Sequence, residues 1–206
     1  MGKIVLILAI FVALLLTQAG RSQTQEALVS AFSKSYKAEN EGDYSKASEV
    51  IKRVFNKDSY EINLRLGWLN YKAGVFAEAE NYYRRAIQIM PYGIEARFGI
   101  IFPLTSMGKL DQAIQMYEEI LKIDPQNSVA NFRLGLVHYG KGNYIQAEKY
   151  FTKVVNLFPF DYDGLHMLAW TKLKNGKTQD AKALFNKTLL YLPGDSSCLE
   201  GLSLIK

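Results

Sequence analysis

Residues 128–161 read SVANFRLGLVHYGKGNYIQAEKYFTKVVNLFPFD, and their register decides the fold. Leu134, Gly135 and His138 lie on a first amphipathic stretch. Lys141-Gly142-Asn143 interrupts it, and Ala147, Phe151 and Val154 resume helical spacing until Pro159. The pattern is a helix, a glycine turn, a second helix and a proline stop. Working outward, the same features return every 34 residues, with glycines at Gly74, Gly108, Gly142 and Gly176 and alanines at Ala79, Ala113, Ala147 and Ala181. Aromatics at Tyr83, Tyr117, Phe151 and Phe185 and prolines at Pro91, Pro125, Pro159 and Pro193 keep the same step. Four residue classes in one register make repeat units of 60–93, 94–127, 128–161 and 162–195.

Within a unit, Ala at position 20 and Gly67, Gly135 and Ala169 at position 8 are small where the two helices cross. The second unit departs from this with Ile101 at position 8 and Pro103 at position 10. The N–H that Pro103 lacks leaves the Gly99 carbonyl without its helical partner, so a kinked or widened helix is expected there. Upstream, Phe32, Tyr36, Gly42, Tyr44, Ala47, Ile51 and Val54 form a divergent helix pair over residues 23–59. Downstream, Leu199, Leu202 and Ser203 repeat the first-helix pattern, and 196–206 reads as a capping helix.

This arrangement resembles the tetratricopeptide repeat family, whose pattern asks for Trp at position 4, Leu at 7, Gly at 8, Tyr at 11, Ala at 20, Phe at 24, Ala at 27 and Pro at 32. Positions 20, 24 and 32 are filled in all four units. Position 7 matches at Leu66, Leu134 and Leu168, position 27 only at Ala86, and position 4 holds Asn63, Arg97, Asn131 and Leu165 instead of Trp. The resemblance implies an all-α fold, a right-handed α-solenoid of antiparallel helix pairs with about five units and a short capping helix. It also implies a concave face that binds another protein or peptide segment, and no enzymatic activity.

The concave face follows from spacing. The first helix packs through positions 4, 7, 8 and 11, so positions 5, 9 and 12 point the other way. They hold Leu64, Trp68 and Tyr71, then Phe98, Phe102 and Thr105, then Phe132, Leu136 and Tyr139, then His166, Trp170 and Leu173, with Phe32 and Tyr36 extending the stripe upstream. Glu61, Glu95 and Asp163 supply an acidic edge at position 2. Family members that clamp a C-terminal carboxylate carry Lys at position 5 and Asn at position 9. Neither occurs here, so no such clamp is implied. Two readings of the stripe stay open: packing between neighbouring first helices, or a groove that something fills, since soluble monomers rarely expose apolar patches above a few hundred Å². The occupant would be a partner segment, a glycan stacked on the rings, the chain's own Gln23 to Ala27 arm or a second copy in a homo-oligomer.

Composition excludes much else. A net charge of +5 on 206 residues, with acids interleaved among the bases, implies no nucleic-acid partner. One cysteine, Cys198, and two histidines exclude a disulfide framework and are too few for a Cys/His zinc site, and no phosphate loop, metal motif or nucleophile elbow occurs. No cofactor or metal is expected. Met1 to Lys3 followed by the apolar run Ile4–Leu16 reads as a cleavable signal peptide over 1–22, with a mature start near Gly20 or Gln23. As a helix that run reaches about 20 Å against a hydrocarbon core of about 30 Å, so no stable membrane insertion after cleavage is expected. The expected location is the periplasm, with secretion as the alternative.

Overall fold

The structure, a computed structural model, describes residues 25–205. The signal reading of 1–22 and its cleavage sites lie outside the described residues. Every regular element among those described is an α-helix. The described residues divide into two compact units, one ending at Gly108 and the other beginning at Lys109. The first holds α1 (25–40), α2 (Tyr44–Lys52), α3 (Tyr60–Lys72), α4 (Phe76–Ile89) and α5 (Glu95–Ser106). The second holds α6 (Leu110–Ile123), α7 (Ser128–Gly140), α8 (Tyr144–Leu157), α9 (Tyr162–Lys174), α10 (Thr178–Tyr191) and α11 (Ser196–Ser203).

Inside the first unit α2 to α5, and inside the second α6 to α11, each helix packs on the next in sequence; alternate helices also touch, α3 on α5 in the first unit and α7 on α9 and α9 on α11 in the second. That is the stacking of antiparallel helix pairs in the α-solenoid class. The turn chemistry explains why the chain reverses where it does. At the end of α3 the Gly74 N–H donates to the Tyr71 carbonyl (3.0 Å) and the Val75 N–H to the Asn70 carbonyl (2.8 Å), so two orphan carbonyls of the last turn are satisfied. This closure needs a left-handed residue, and Gly74 has φ +78°. The same pair of bonds closes α7 through Gly142 and Asn143.

α4, α6, α8 and α10 end differently. The C-cap residue of each precedes a proline, which disfavours the helical region for the residue before it. Met90, Asp124, Phe158 and Leu192 accordingly leave the helix at φ −123° to −129° and ψ 79° to 88°. The next helix starts on a side-chain cap: Ser59, Asn127, Asp161 and Asp195 accept from the backbone N–H three residues on. Ile94 before α5 has no such bond. α5 begins one residue later in the repeat than α3, α7 and α9, and runs continuously through Pro103 to the same last position.

The core lies along the crossings. Ala79, Ala147 and Ala181 are fully buried, as are Phe151 and Phe185, whereas Tyr117 is only half-buried. The Tyr83 ring sits against both Gly67 of its own pair and Gly99 of α5; a Cβ on either glycine would come within 3 Å of it. The position-4 residues, where the family pattern has Trp, tie helix starts to preceding loops. Asn63 donates to the Lys57 and Ser59 carbonyls, Arg97 to Gly93, and Asn131 to Pro125 and Asn127.

In the last helix, Cys198 and Gly201 face the core while Leu199 is half exposed, which corrects the reading of Leu199 as a packing position. The small Gly201 is required there because a Cβ would stand 2.3 Å from Phe185.

Candidate interaction groove

In the first unit, α1, α3, α4 and α5 wall a groove of about 760 Å³. Four of the stripe residues line it: Leu64 and Trp68 from α3, Phe98 and Phe102 from α5. Phe32 and Tyr36 extend it along α1, and Met90 closes one side. Tyr71 stands one ring beyond, 5.4 Å from Phe102 and 5.9 Å from Trp68 between centroids. Tyr36, Met90 and Phe102 are each about half exposed, at 50%, 48% and 48%. Apolar surface therefore faces the groove from three helices.

The polar floor of the groove holds these rings in place. The Arg65 guanidinium is buried (7% exposed), pairs with the Glu39 carboxylate, donates from Nε and Nη2 to Ser35 Oγ (3.1 and 2.9 Å), and lies over the Tyr36 ring at 4.0 Å. The Trp68 indole N–H donates to the other Glu39 oxygen at 2.5 Å. Burial alone would raise the Glu39 carboxyl. The hydrogen bonds from Trp68 and Arg65 and the charges of Arg65 and Lys72 outweigh it and hold the group below the ordinary carboxylate value. At the rim, Ser59 Oγ donates to Glu61 at 2.9 Å and Tyr60 OH to Glu95 at 3.4 Å. Helical spacing does not mark Glu39 or Arg65, because Arg65 and Trp68 lie 26 and 29 residues from Glu39 on a different helix pair, and Tyr60 and Met90 fall outside the stripe positions.

In the second unit the stripe residues are half-buried and mostly taken up by packing. Phe132 meets Phe151 edge-on at 5.6 Å, Tyr139 meets Tyr144 at 5.3 Å, and Trp170 meets Phe185 at 5.3 Å. Leu136 packs beside Phe132 on the same cluster. His166 stacks on Tyr162 at 5.6 Å. Its Nε2 and the Trp170 indole N–H both reach Ser197 Oγ, at 2.8 and 2.9 Å.

That corner also brings His166, Asp195 and Cys198 together, with one ligand-type atom of each within 4.8 Å of the others. The spacing is close enough for a cation, but the donor set is committed elsewhere. Asp195 Oδ1 accepts the Cys198 N–H (2.7 Å) and Oδ2 the Tyr162 OH (2.8 Å). Burial first, then the hydrogen bond to Asp195, pushes the Cys198 thiol up to about 12. The cluster serves as a polar lock that fastens α11 onto α9. His138, at position 11 of its repeat, stacks on Tyr150 at 5.4 Å, and among the described residues its Nδ1 is buried without a partner.

Comparison with known proteins agrees with this architecture. Family models described as "Tetratricopeptide repeat" match residues 34–94, 70–133 and 104–149, together more than half of the chain. Protein CTR9 homolog of Arabidopsis thaliana is 27% identical over 135 residues, 62% of this chain and 12% of that protein. Superkiller complex protein 3 of Homo sapiens is 29% identical over 148 residues, 66% of this chain and 9% of that protein. The chain thus spans about a tenth of the length of these curated relatives. Among solved structures, a tetratricopeptide repeat protein from Parabacteroides merdae superposes with TM-score 0.71 at 22% identity, over 87% of this chain and 72% of that one. MamA from Desulfovibrio magneticus does so with TM-score 0.65 at 18% identity, over 82% and 98%. Taken with the 34-residue period and the small residues at the crossings, these matches show that the chain belongs to the tetratricopeptide repeat family, whose stacked helix pairs are scaffolds for protein–protein interaction.

Proposed function

We propose that this protein is an exported scaffold that holds an apolar or aromatic segment of another protein in the groove of its first unit, during assembly of the cell envelope. The observation that carries the binding site is the half exposure of Tyr36, Met90 and Phe102 around one groove of about 760 Å³. Soluble proteins rarely leave such a patch open without use, and a few buried aromatics generally dominate an interface. Export rests on the Met1–Lys3 n-region and the Ile4–Leu16 apolar run.

Trp68 is a poor test residue because its indole also fastens Glu39. Phe102 and Met90 are better choices, since both are half exposed. Replacing Phe102 by photoreactive benzoylphenylalanine in cells should give a defined adduct in the envelope fraction, and the same replacement at Leu190, 74% exposed on α10, should not. Equal labelling at both positions, or none at position 102, would sink the groove assignment. Recovery of the protein from the cytoplasm with Met1 intact would sink export.

A further inference from the structure

The charges around this groove run against those of the whole protein. The chain carries a net +5, yet among the described residues the one cation lining the groove, Arg65, is buried and neutralised by Glu39. Glu61 and Glu95 line the same groove, both exposed. Their neighbours Ser59 and Tyr60 donate hydrogen bonds to them, which orients the carboxylates but leaves their charge standing. Among the described residues neither has a cation within ion-pair distance. The groove is therefore apolar along its length and negative at its rim.

We infer that the segment bound there carries a Lys or Arg next to an aromatic or aliphatic anchor, with the cation received by Glu61 and Glu95 and the anchor by Leu64, Phe98 and Phe102. This rests on the reading of the groove as a protein-binding site and adds the chemistry of the partner. An acidic segment, or one ending in a carboxylate at this rim, would bring like charges together and lose the steering that complementary charge supplies. The buried Arg65 offers such a segment no compensation, because its donors are already engaged by Glu39 and Ser35. A cationic segment gains from both carboxylates.

The test uses random dodecapeptides displayed on phage and selected against the immobilised full chain. Binding of the recovered peptides is then measured on three forms: wild type, Glu61→Gln with Glu95→Gln, and Phe102→Ala with Met90→Ala, each first shown to be folded by circular dichroism. An exposed charge pair is worth up to about fivefold in affinity, so losing two should weaken binding by on the order of tenfold and flatten its salt dependence. The inference is supported if the recovered peptides place Lys or Arg within two positions of an apolar side chain, weaken by that factor on the carboxamide variant, and are lost on the Phe102, Met90 variant. Peptides that need Phe102 and Met90 but carry no cation, or bind the carboxamide variant equally well, overturn the charge inference and leave the groove standing. If no peptide depends on Phe102 and Met90, both readings fall.

Discussion

Gly135 on α7 and Phe151 on α8 meet so closely that a Cβ on the glycine would stand 2.6 Å from the ring's Cε1. Phe151 is fully buried and has no room to swing aside. Gly135→Ala should therefore destabilise the second unit, since overpacking costs up to about 3 kcal/mol and the better helix propensity of Ala returns only about 1. Gly140, on the same helix, has nothing within 4 Å of its Cβ position. Gly140→Ala should raise the melting temperature while Gly135→Ala lowers it by several degrees. Equal melts for the two variants would contradict the crossing geometry.

Gly142 tests a different cost. Its Cβ position is also open, but φ is +75°. A left-handed alanine costs roughly 1–2 kcal/mol through the backbone alone. Gly142→Ala should lower stability by about that amount, and Gly142→Asn by less, because Asn tolerates this conformation better. A thermal melt of the pair distinguishes backbone strain from steric conflict, which would make Asn the worse of the two.

Glu148 on α8 is held by three donors from the neighbouring pair. Lys177 Nζ lies 2.8 Å from Oε1, Lys172 Nζ 3.1 Å from Oε1, and Asn175 Nδ2 2.7 Å from Oε2. Burial works to raise this carboxyl, but the three hydrogen bonds and the Lys172 charge prevail and bring it from 4.5 to about 2. A folded-state value below the unfolded one contributes stability that is complete above the unfolded value and lost as pH falls through the folded one. Wild type should thus lose stability between about pH 4.5 and pH 2, beyond what its other carboxylates cause. Glu148→Gln should be less stable at neutral pH and show a shallower acid limb. Parallel acid limbs in the two proteins would mean that the network does no more than an exposed surface pair.

The period, the glycine turns and the proline stops were legible because each depends on one residue type at one backbone position. Gly74 and Gly142 are readable without knowing any neighbour. The groove was legible only as a stripe. Helical spacing put Leu64, Trp68, Phe98 and Phe102 on a common face, but it could not tell that Phe132 and Trp170 would spend their rings on Phe151 and Phe185. That depends on how a second helix pair approaches. Arg65 is not legible from spacing, because position 6 carries no family signal and its partners Ser35 and Glu39 come from the divergent first pair. Two histidines and one cysteine are too few for a Cys/His site on composition alone, and composition cannot show that Asp195 joins His166 and Cys198, an encounter created by the α11 cap.

The thiol in that encounter makes its own prediction. Cys198 is fully buried and its pKa is pushed to about 12, so the thiolate is scarce at pH 8. A disulfide reagent such as dithiobisnitrobenzoate should leave the native protein unmodified and react once per chain in guanidinium. Asp195→Ala removes the cap of α11, worth about 0.5–2 kcal/mol, and should speed the native reaction by letting the helix open. Rapid modification of the native wild type would refute the lock between α9 and α11.

Asn131 provides the sharpest test of the position-4 departure from the family pattern. Its amide donates to the Pro125 carbonyl at 3.1 Å and the Asn127 carbonyl at 2.8 Å, while among the described residues its own Oδ1 is buried without a partner. Asn131→Leu removes two hydrogen bonds worth about 1 kcal/mol each, but it also removes the unsatisfied oxygen, whose burial costs about 1–3 kcal/mol. The two changes offset, and the variant should stay within about 1 kcal/mol of wild type. Asn131→Asp keeps the shape and reverses the chemistry, turning a carboxylate oxygen toward two carbonyl oxygens in a fully buried site. It should destabilise by at least about 3 kcal/mol at pH 7 and recover part of the loss near pH 4, where protonation restores a donor. Denaturant melts at the two pH values decide the matter. If Asp is tolerated at neutral pH, the amide is not the tie between the loop and α7, and position 4 must act through shape alone.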